Sequence, residues 1–272
     1  MKNSLLFVAL GMLFLVTLAY AEESDVSLGK IIVTPARYAQ AAALAPSYVK
    51  VVTAQDIATS GAMTLPGLLS QKAGVHVYSK GSDKNTMVDI GGYNDAAVSN
   101  VLVLLNGRRL NPSDSSGPDL AGVPLDSIER IEVIRGGSSV LYGDNAVGGV
   151  VNIITHQGRP GVSGDVSVEA GSYGRRKETA QVTSGNKAVT VYVFGGYQET
   201  NGYRANNQYQ AGDGQVRING KGAPLLSLGL EAGWHDDHYG LPSGLRGMAQ
   251  VMSLGRRGTR TPEDYGDTRD RY

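Results

Sequence analysis

The pattern of apolar and polar positions changes character near residue 160. Before that point, β-branched or leucine-rich stretches at 49–52, 75–78, 87–90, 101–105, 128–134 and 150–154 are bounded by Gly, Asn, Asp or Pro, which predicts short strands around one mixed core. Thr53-x-x-Asp56 predicts a helix start, with Gly61 as the stop. A second short helix is expected over 65–72, ending at Gly74, and residues 138–142 are expected to form one helical turn closed by Gly143. Asn106-Gly107 is the strongest hairpin-turn dipeptide in the chain.

After Val162 the pattern becomes a strict two-residue alternation. Val166, Val168 and Ala170 alternate with Asp165, Ser167 and Glu169, and Leu226, Leu228, Leu230, Ala232 and Trp234 alternate with Ser227, Gly229, Glu231, Gly233 and His235. Similar stretches cover 178–184, 189–198 and 215–219. A period of two sends the two sets to opposite faces of a sheet. In a soluble sandwich the apolar face would be core; in an outer-membrane barrel it would face lipid, with the polar face lining the lumen. The glycines and charges on the polar face favour the membrane.

The beginning of the chain points the same way. Lys2 precedes an apolar stretch at 5–18, interrupted only by Gly11 and Thr17, and then Ala19-Tyr20-Ala21; this predicts a cleavable signal peptide over 1–21 and export. Residues 22–45 contain Lys30-Ile31-Ile32-Val33-Thr34-Pro35, a β-branched cluster stopped by proline, and an alanine-rich linker.

Composition removes other classes. The 25 Lys and Arg balance 25 Asp and Glu, so no basic footprint marks a nucleic-acid partner. The absence of cysteine excludes disulfide scaffolds, thiolate zinc sites and thiol nucleophiles. There are 37 glycines, and 14 Tyr stand against 3 Phe and 1 Trp, a bias that suits turns and amphipathic strands. No phosphate-binding loop, dinucleotide fingerprint, nucleophile elbow or His-Glu-x-x-His is present; no enzyme activity, cofactor or resident metal is expected.

Leu125-Asp126-Ser127-Ile128-Glu129-Arg130-Ile131-Glu132-Val133-Ile134-Arg135-Gly136-Gly137 and its continuation through Tyr142-Gly143-Asp144-Asn145-Ala146-Val147-Gly148-Gly149 to Thr155, with Val101 to Arg109 and Gly74-Val75-His76-Val77, resemble the plug domain of TonB-dependent outer-membrane receptors. The resemblance implies an α+β plug domain (46–158) followed by antiparallel β-strands of an incomplete transmembrane β-barrel (159–272). It also implies uptake of a scarce solute, such as an iron-siderophore or cobalamin, energised through TonB, an inner-membrane protein that captures a short peptide by strand addition. Ile31, Ile32, Val33 and Thr34 are the candidates for that peptide. Tyr78, Tyr93, Asn94, Asp95, Ser113 and Asp114, on or beside polar loops, are candidate solute contacts, and Glu129, Arg130, Glu132 and Arg135 are candidate plug–barrel contacts. Outer-membrane lipid is the expected surroundings of the barrel. His235-Asp236-Asp237-His238 invites a metal reading, but it is similar to an extracellular strand-end loop of these receptors and is assigned no metal. The family usually carries an arginine before a glycine where this chain has Ile90-Gly91-Gly92-Tyr93, which leaves Arg135 alone of an expected arginine pair. Ala73 and Gly137 stand where prolines are common.

About five alternating segments follow Val162, and a closed transmembrane barrel needs at least about eight strands; residues 255–272 read as charged and turn-like. The expectation is an N-terminal portion of a receptor, from a truncated gene, a split reading frame or an incomplete contig. The alternatives are a soluble periplasmic binding or adaptor module with a small β-sandwich second domain, or a non-functional truncation product.

Overall fold

The computed structural model describes residues 48–79, 86–114, 116–221 and 227–241, and the backbone of short strands at 32–33, 40–41 and 265–271. The expected signal peptide lies outside the described residues. A minimal antiparallel pair, β1 (Ile32–Val33) and β2 (Gln40–Ala41), precedes two larger bodies.

The first body holds β3 (Val49–Thr53), β4 (His76–Ser79), β5 (Thr86–Asp89), β6 (Val101–Leu105), β7 (Arg108–Arg109), β8 (Ile128–Arg135) and β9 (Gly149–Thr155). Five of them form a sheet in the order β3-β8-β9-β6-β7, and β4 and β5 make a separate hairpin. Within the five-stranded sheet β6 and β9 run parallel, while β8 is antiparallel to both of its neighbours. Both faces of the sheet are covered. Val52, Ile131, Val133, Val151 and Ile153 pack with Ile57, Leu65, Leu68 and Leu69 of the helical segments; Leu102, Leu104, Ile134, Ala146 and Val150 form a second cluster. A strand buried on both sides has no use for alternation, which explains the unbroken apolar sequence Val101-Leu102-Val103-Leu104-Leu105.

Local chemistry sets the connections. The helix Ala54–Ala58 begins with a capping box in which the Thr53 N–H donates to Asp56 Oδ2 (2.9 Å) and the Asp56 N–H donates to Thr53 Oγ1 (3.2 Å). The bonds that Asp56 Oδ2 accepts from the Thr53 N–H and from Thr53 Oγ1 (2.7 Å) favour the ionised form and hold the Asp56 carboxyl below its ordinary range. The helix Leu65–Leu68 starts with Pro66 in its first turn, widens into a π-type turn over Leu69–Ala73 and stops at Gly74, whose φ is 67°. Asn106 and Gly107 adopt φ of 53° and 83°, the two left-handed positions that a tight hairpin turn requires, and they join β6 to β7. One short helix, Ala97–Asn100, overlaps the polar stretch at 93–99 that the sequence suggested would be loop.

The second body is a wall of β10 (Gly161–Gly171), β11 (Arg175–Gly185), β12 (Val189–Thr200), β13 (Tyr209–Lys221), β14 (Ser227–Gly240) and β15 (Tyr265–Arg271), paired antiparallel in chain order. The expectation of about five strands and a turn-like end is thereby corrected: residues 265–271 pair with β14, Trp234 opposite Arg271 and Gly240 opposite Tyr265. β10 and β15 are the edges of an unclosed sheet. Its exposed face carries Val162, Val166, Val168, Val182, Val193, Val216, Ile218, Leu228, Leu230 and Trp234, while Asp213, Gln215, His235 and Asp237 are buried on the other. The register puts Val182 opposite Val193, Val193 opposite Val216 and Ile218 opposite Leu230, so the apolar side chains form a continuous belt across the strands. The Trp234 ring lies over the backbone of Gly212 and Gly214, covering strand that has no side chain of its own. Among the described residues, the connection at 186–188 lies at one end of the wall, and those at 172–174 and 201–208 lie at the other.

Candidate functional site

The buried polar face of the wall packs on the first body along a seam of hydrogen bonds. At one end of the seam Lys177 Nζ, on β11, meets Asp126 Oδ2 at 2.7 Å. At the other, Asn106 in the β6–β7 turn donates through Nδ2 to Glu231 Oε1 and Oε2 on β14, at 3.2 and 3.1 Å, and to Thr155 Oγ1 at 2.9 Å. The Thr155 N–H returns a bond to Asn106 Oδ1 (3.0 Å). From the wall, Gln215 Nε2 donates to Glu231 Oε1 (2.9 Å) and Arg217 Nη1 to Thr155 Oγ1 (3.2 Å), and Arg217 lies 3.8 Å from Glu231 Oε2. Thr155 ends β9, and the chain continues through 156–160 into the wall. His156, on that link, has its ring 5.8 Å from Tyr192, and burial pushes its pKa down.

Of the four candidate charges of β8, Arg130 is near the seam end of the strand, whereas Arg135 is at the opposite end, paired with Gly149, and both bond within the first body. Arg130 pairs with Glu129 and with fully buried Glu132, both at 2.9 Å. The same Arg130 and Arg217 of the wall line one cavity of about 250 Å³ together with Asn152 and Gln157. Arg135 donates to the Gly74 carbonyl oxygen.

The candidate solute contacts sit on separate supports. Tyr78 is on β4 and exposed. Buried Asp89 accepts the N–H groups of Gly92, Tyr93 and Asn94 at 3.1, 3.0 and 3.0 Å, which fixes the following loop. The Tyr93 ring packs so closely on Gly148 that an added Cβ there would lie 2.6 Å from it, and Gly91, within the stretch 90–93, lies under the same ring. Asp95 follows in a short 3-10 turn and is exposed. Ser113 and Asp114 are exposed on a further turn, where Asp114 Oδ1 accepts from Ser116 N–H (3.0 Å) and Oγ (2.6 Å), and these bonds hold its carboxyl low. Ile32 and Val33 pair with Ala41 and Gln40; Ile31 and Thr34 lie outside the described residues.

The sequence quartet at 235–238 is strand rather than strand-end loop. Alternation sends His235 and Asp237 to the buried face and Asp236 and His238 to the other, so the four do not converge. His235 Nδ1 instead meets Asp213 Oδ1 at 2.7 Å across the strand pair, and its Nε2 lies 3.3 Å from Asp237 Oδ2. Asp213, Gln215, Arg217, Glu231 and Asn106 were not singled out as contacts from sequence. Their only early signal was their place on the polar side of an alternation or in a turn.

A small α+β body docked on the polar face of an antiparallel sheet whose other face is apolar defines a plugged, unclosed barrel wall. Residues 42–150 match the TonB-dependent receptor plug domain family. The chain is 31% identical over 237 residues to the vitamin B12 transporter BtuB of Photobacterium profundum, an alignment that covers 87% of this chain and 35% of that protein. Its fold is similar to the pyoverdine outer membrane receptor FpvA from Pseudomonas aeruginosa PAO1 bound to pyoverdine (TM-score 0.65, 18% identity, 76% of this chain and 30% of that one). It is also similar to the siderophore receptor PirA from Pseudomonas aeruginosa (TM-score 0.54, 25% identity, 72% and 34%). Residues 42–150 thus form a plug domain of the TonB-dependent receptor type, and the chain spans about a third of the length of these relatives. The relatives are receptors and transporters rather than enzymes. The β-sandwich alternative is set aside, because the six strands form one sheet with its polar face on the plug.

Proposed function

We propose that this chain supplies the plug and first wall strands of an outer-membrane receptor that imports a scarce, bulky solute, a cobalamin or a ferric siderophore, with energy delivered by TonB. The observation that carries this reading is the inverted wall: polar residues bonded to the plug on one face and an apolar belt on the other, which suits lipid outside and a plugged lumen inside. Residues 1–21 direct export and are removed. Residues 31–34 are the segment that TonB captures by strand addition. Tyr78, Tyr93, Asn94, Asp95, Ser113 and Asp114 present the plug's outer loops to the solute. Glu129, Arg130, Glu132 and Arg135 help to seat the plug in the closed ring.

The test is uptake of labelled cyanocobalamin and ferric enterobactin by cells producing the intact receptor, with and without TonB, alongside membrane fractionation. The expected result is TonB-dependent uptake of one probe and recovery in the outer membrane as a heat-modifiable band. Val33→Pro removes a backbone donor from the recruitment segment and is expected to abolish uptake while surface binding of the probe persists. Release of the protein by osmotic shock would refute the proposal.

A further inference from the structure

Glu231 is served from both sides of the seam. From the plug it receives Asn106; from its own wall it receives Gln215, and Arg217 stands 3.8 Å away while donating to Thr155 of the plug. Glu231 and Arg217 are largely shielded, their side chains 24% and 14% exposed. If the plug turn is drawn off the wall, Asn106 leaves Glu231, and a shielded carboxylate that loses a partner is costly. The same movement takes Thr155 away from Arg217. Two charges of opposite sign, each losing a plug partner, are then left side by side on β13 and β14.

We propose that Arg217 is a positioning residue that exchanges partners, from Thr155 of the seated plug to Glu231 of the wall, and so lowers the barrier to plug displacement. This rests on the reading of the chain as a TonB-driven receptor. The exchange needs no new group to arrive: a rotation of the guanidinium closes the 3.8 Å gap as the 3.2 Å bond to Thr155 opens. Such an arrangement gives the seam specificity when closed without leaving an unpaired charge when it opens.

The two roles open to Arg217 differ in sign. If it only fastens Thr155, removing it loosens the plug; if it receives Glu231, removing it makes the plug harder to displace. These 272 residues contain no native cysteine, so Leu105→Cys, in an intact receptor with any cysteine elsewhere replaced by serine, supplies a single reporter: Leu105 is 3% exposed and lines a cavity with Arg217 and Glu231. Labelling of the intact receptor in cells by a membrane-impermeant maleimide, with and without TonB, reads displacement, and heat-modifiable migration checks that each variant is assembled.

In the Leu105→Cys parent, labelling is expected to be faster with TonB. Adding Arg217→Met is expected to slow the TonB-dependent labelling, about tenfold for one charge-assisted bond lost from the barrier. Adding Glu231→Gln as well is expected to restore it, because a neutral amide needs no ionic partner. Faster or unchanged labelling in Arg217→Met, or a double variant as slow as the single, overturns the exchange. Labelling of the parent that is indifferent to TonB overturns the receptor reading itself, a result distinct from both.

Discussion

In the plug sheet Ile131 and Ile153 are fully buried, whereas in the wall Val166, Leu228 and Leu230 are 74%, 68% and 68% exposed and Asp213, Gln215 and His235 are buried. Both sheets are built from the same strand-forming residues. They differ in what each face meets. The plug sheet hides two faces inside protein, and its strands read as apolar runs; the wall turns its apolar side away from protein and buries its polar side against the plug. On the proposed reading, a protein core and a lipid-facing belt obey one hydrophobic rule applied in opposite directions.

The largest expected effect comes from damaging the plug core. Leu68→Ala leaves a cavity beside Leu65 and Leu69 and should cost about 2–5 kcal/mol, seen as plug proteolysis while the wall still migrates as a heat-modifiable band. Val193→Arg sets a charge in the apolar belt, where Val182 and Val216 flank it. It should cost about 2–4 kcal/mol if that belt lies near the bilayer midplane, read from urea unfolding in lipid vesicles; a negligible effect would place this face in water and break the comparison. Thr53→Ala removes one half of the capping box and should cost about 1 kcal/mol, with loss confined to amide-exchange protection around residues 54–58.

The smallest effect is a pH dependence at the link between the two bodies. Burial depresses the folded-state pKa of His156 below its ordinary value of 6.5. The unfolded chain therefore takes up the proton first, and the stability that neutral His156 supports is present above about pH 6.5 and lost as pH falls through the folded-state value. His156→Gln should flatten that acid-side decline in a series of urea melts; an unchanged slope would mean that the link stays hydrated.

Much of the architecture was legible because apolar runs and alternations report directly on which faces are covered. The turn at Asn106-Gly107, the stop at Gly74 and the capping box at Thr53 were readable for a related reason: each is a local backbone requirement met within a few residues. The strand Tyr265–Arg271 was not, since Tyr-Gly-Asp-Thr-Arg-Asp-Arg has no apolar face; it pairs with the half of β14 beyond Ala232, where the belt gives way to polar positions. The seam was hidden for another reason. Asn106 and Glu231 are 125 residues apart, and only the register of the wall and the docking of the plug bring them together. Tyr93 illustrates the intermediate case: its place in a polar loop was visible, but its packing on Gly148 depends on the hairpin formed by β8 and β9.

Thr155 is at once a member of the seam and the last residue of β9, one short link away from β10. The plug is thus leashed to its own housing at the point where the two touch. In the proposed receptor, reseating after any excursion would be a unimolecular event at high effective concentration, so contacts too weak to hold a free ligand would suffice to seat the plug again.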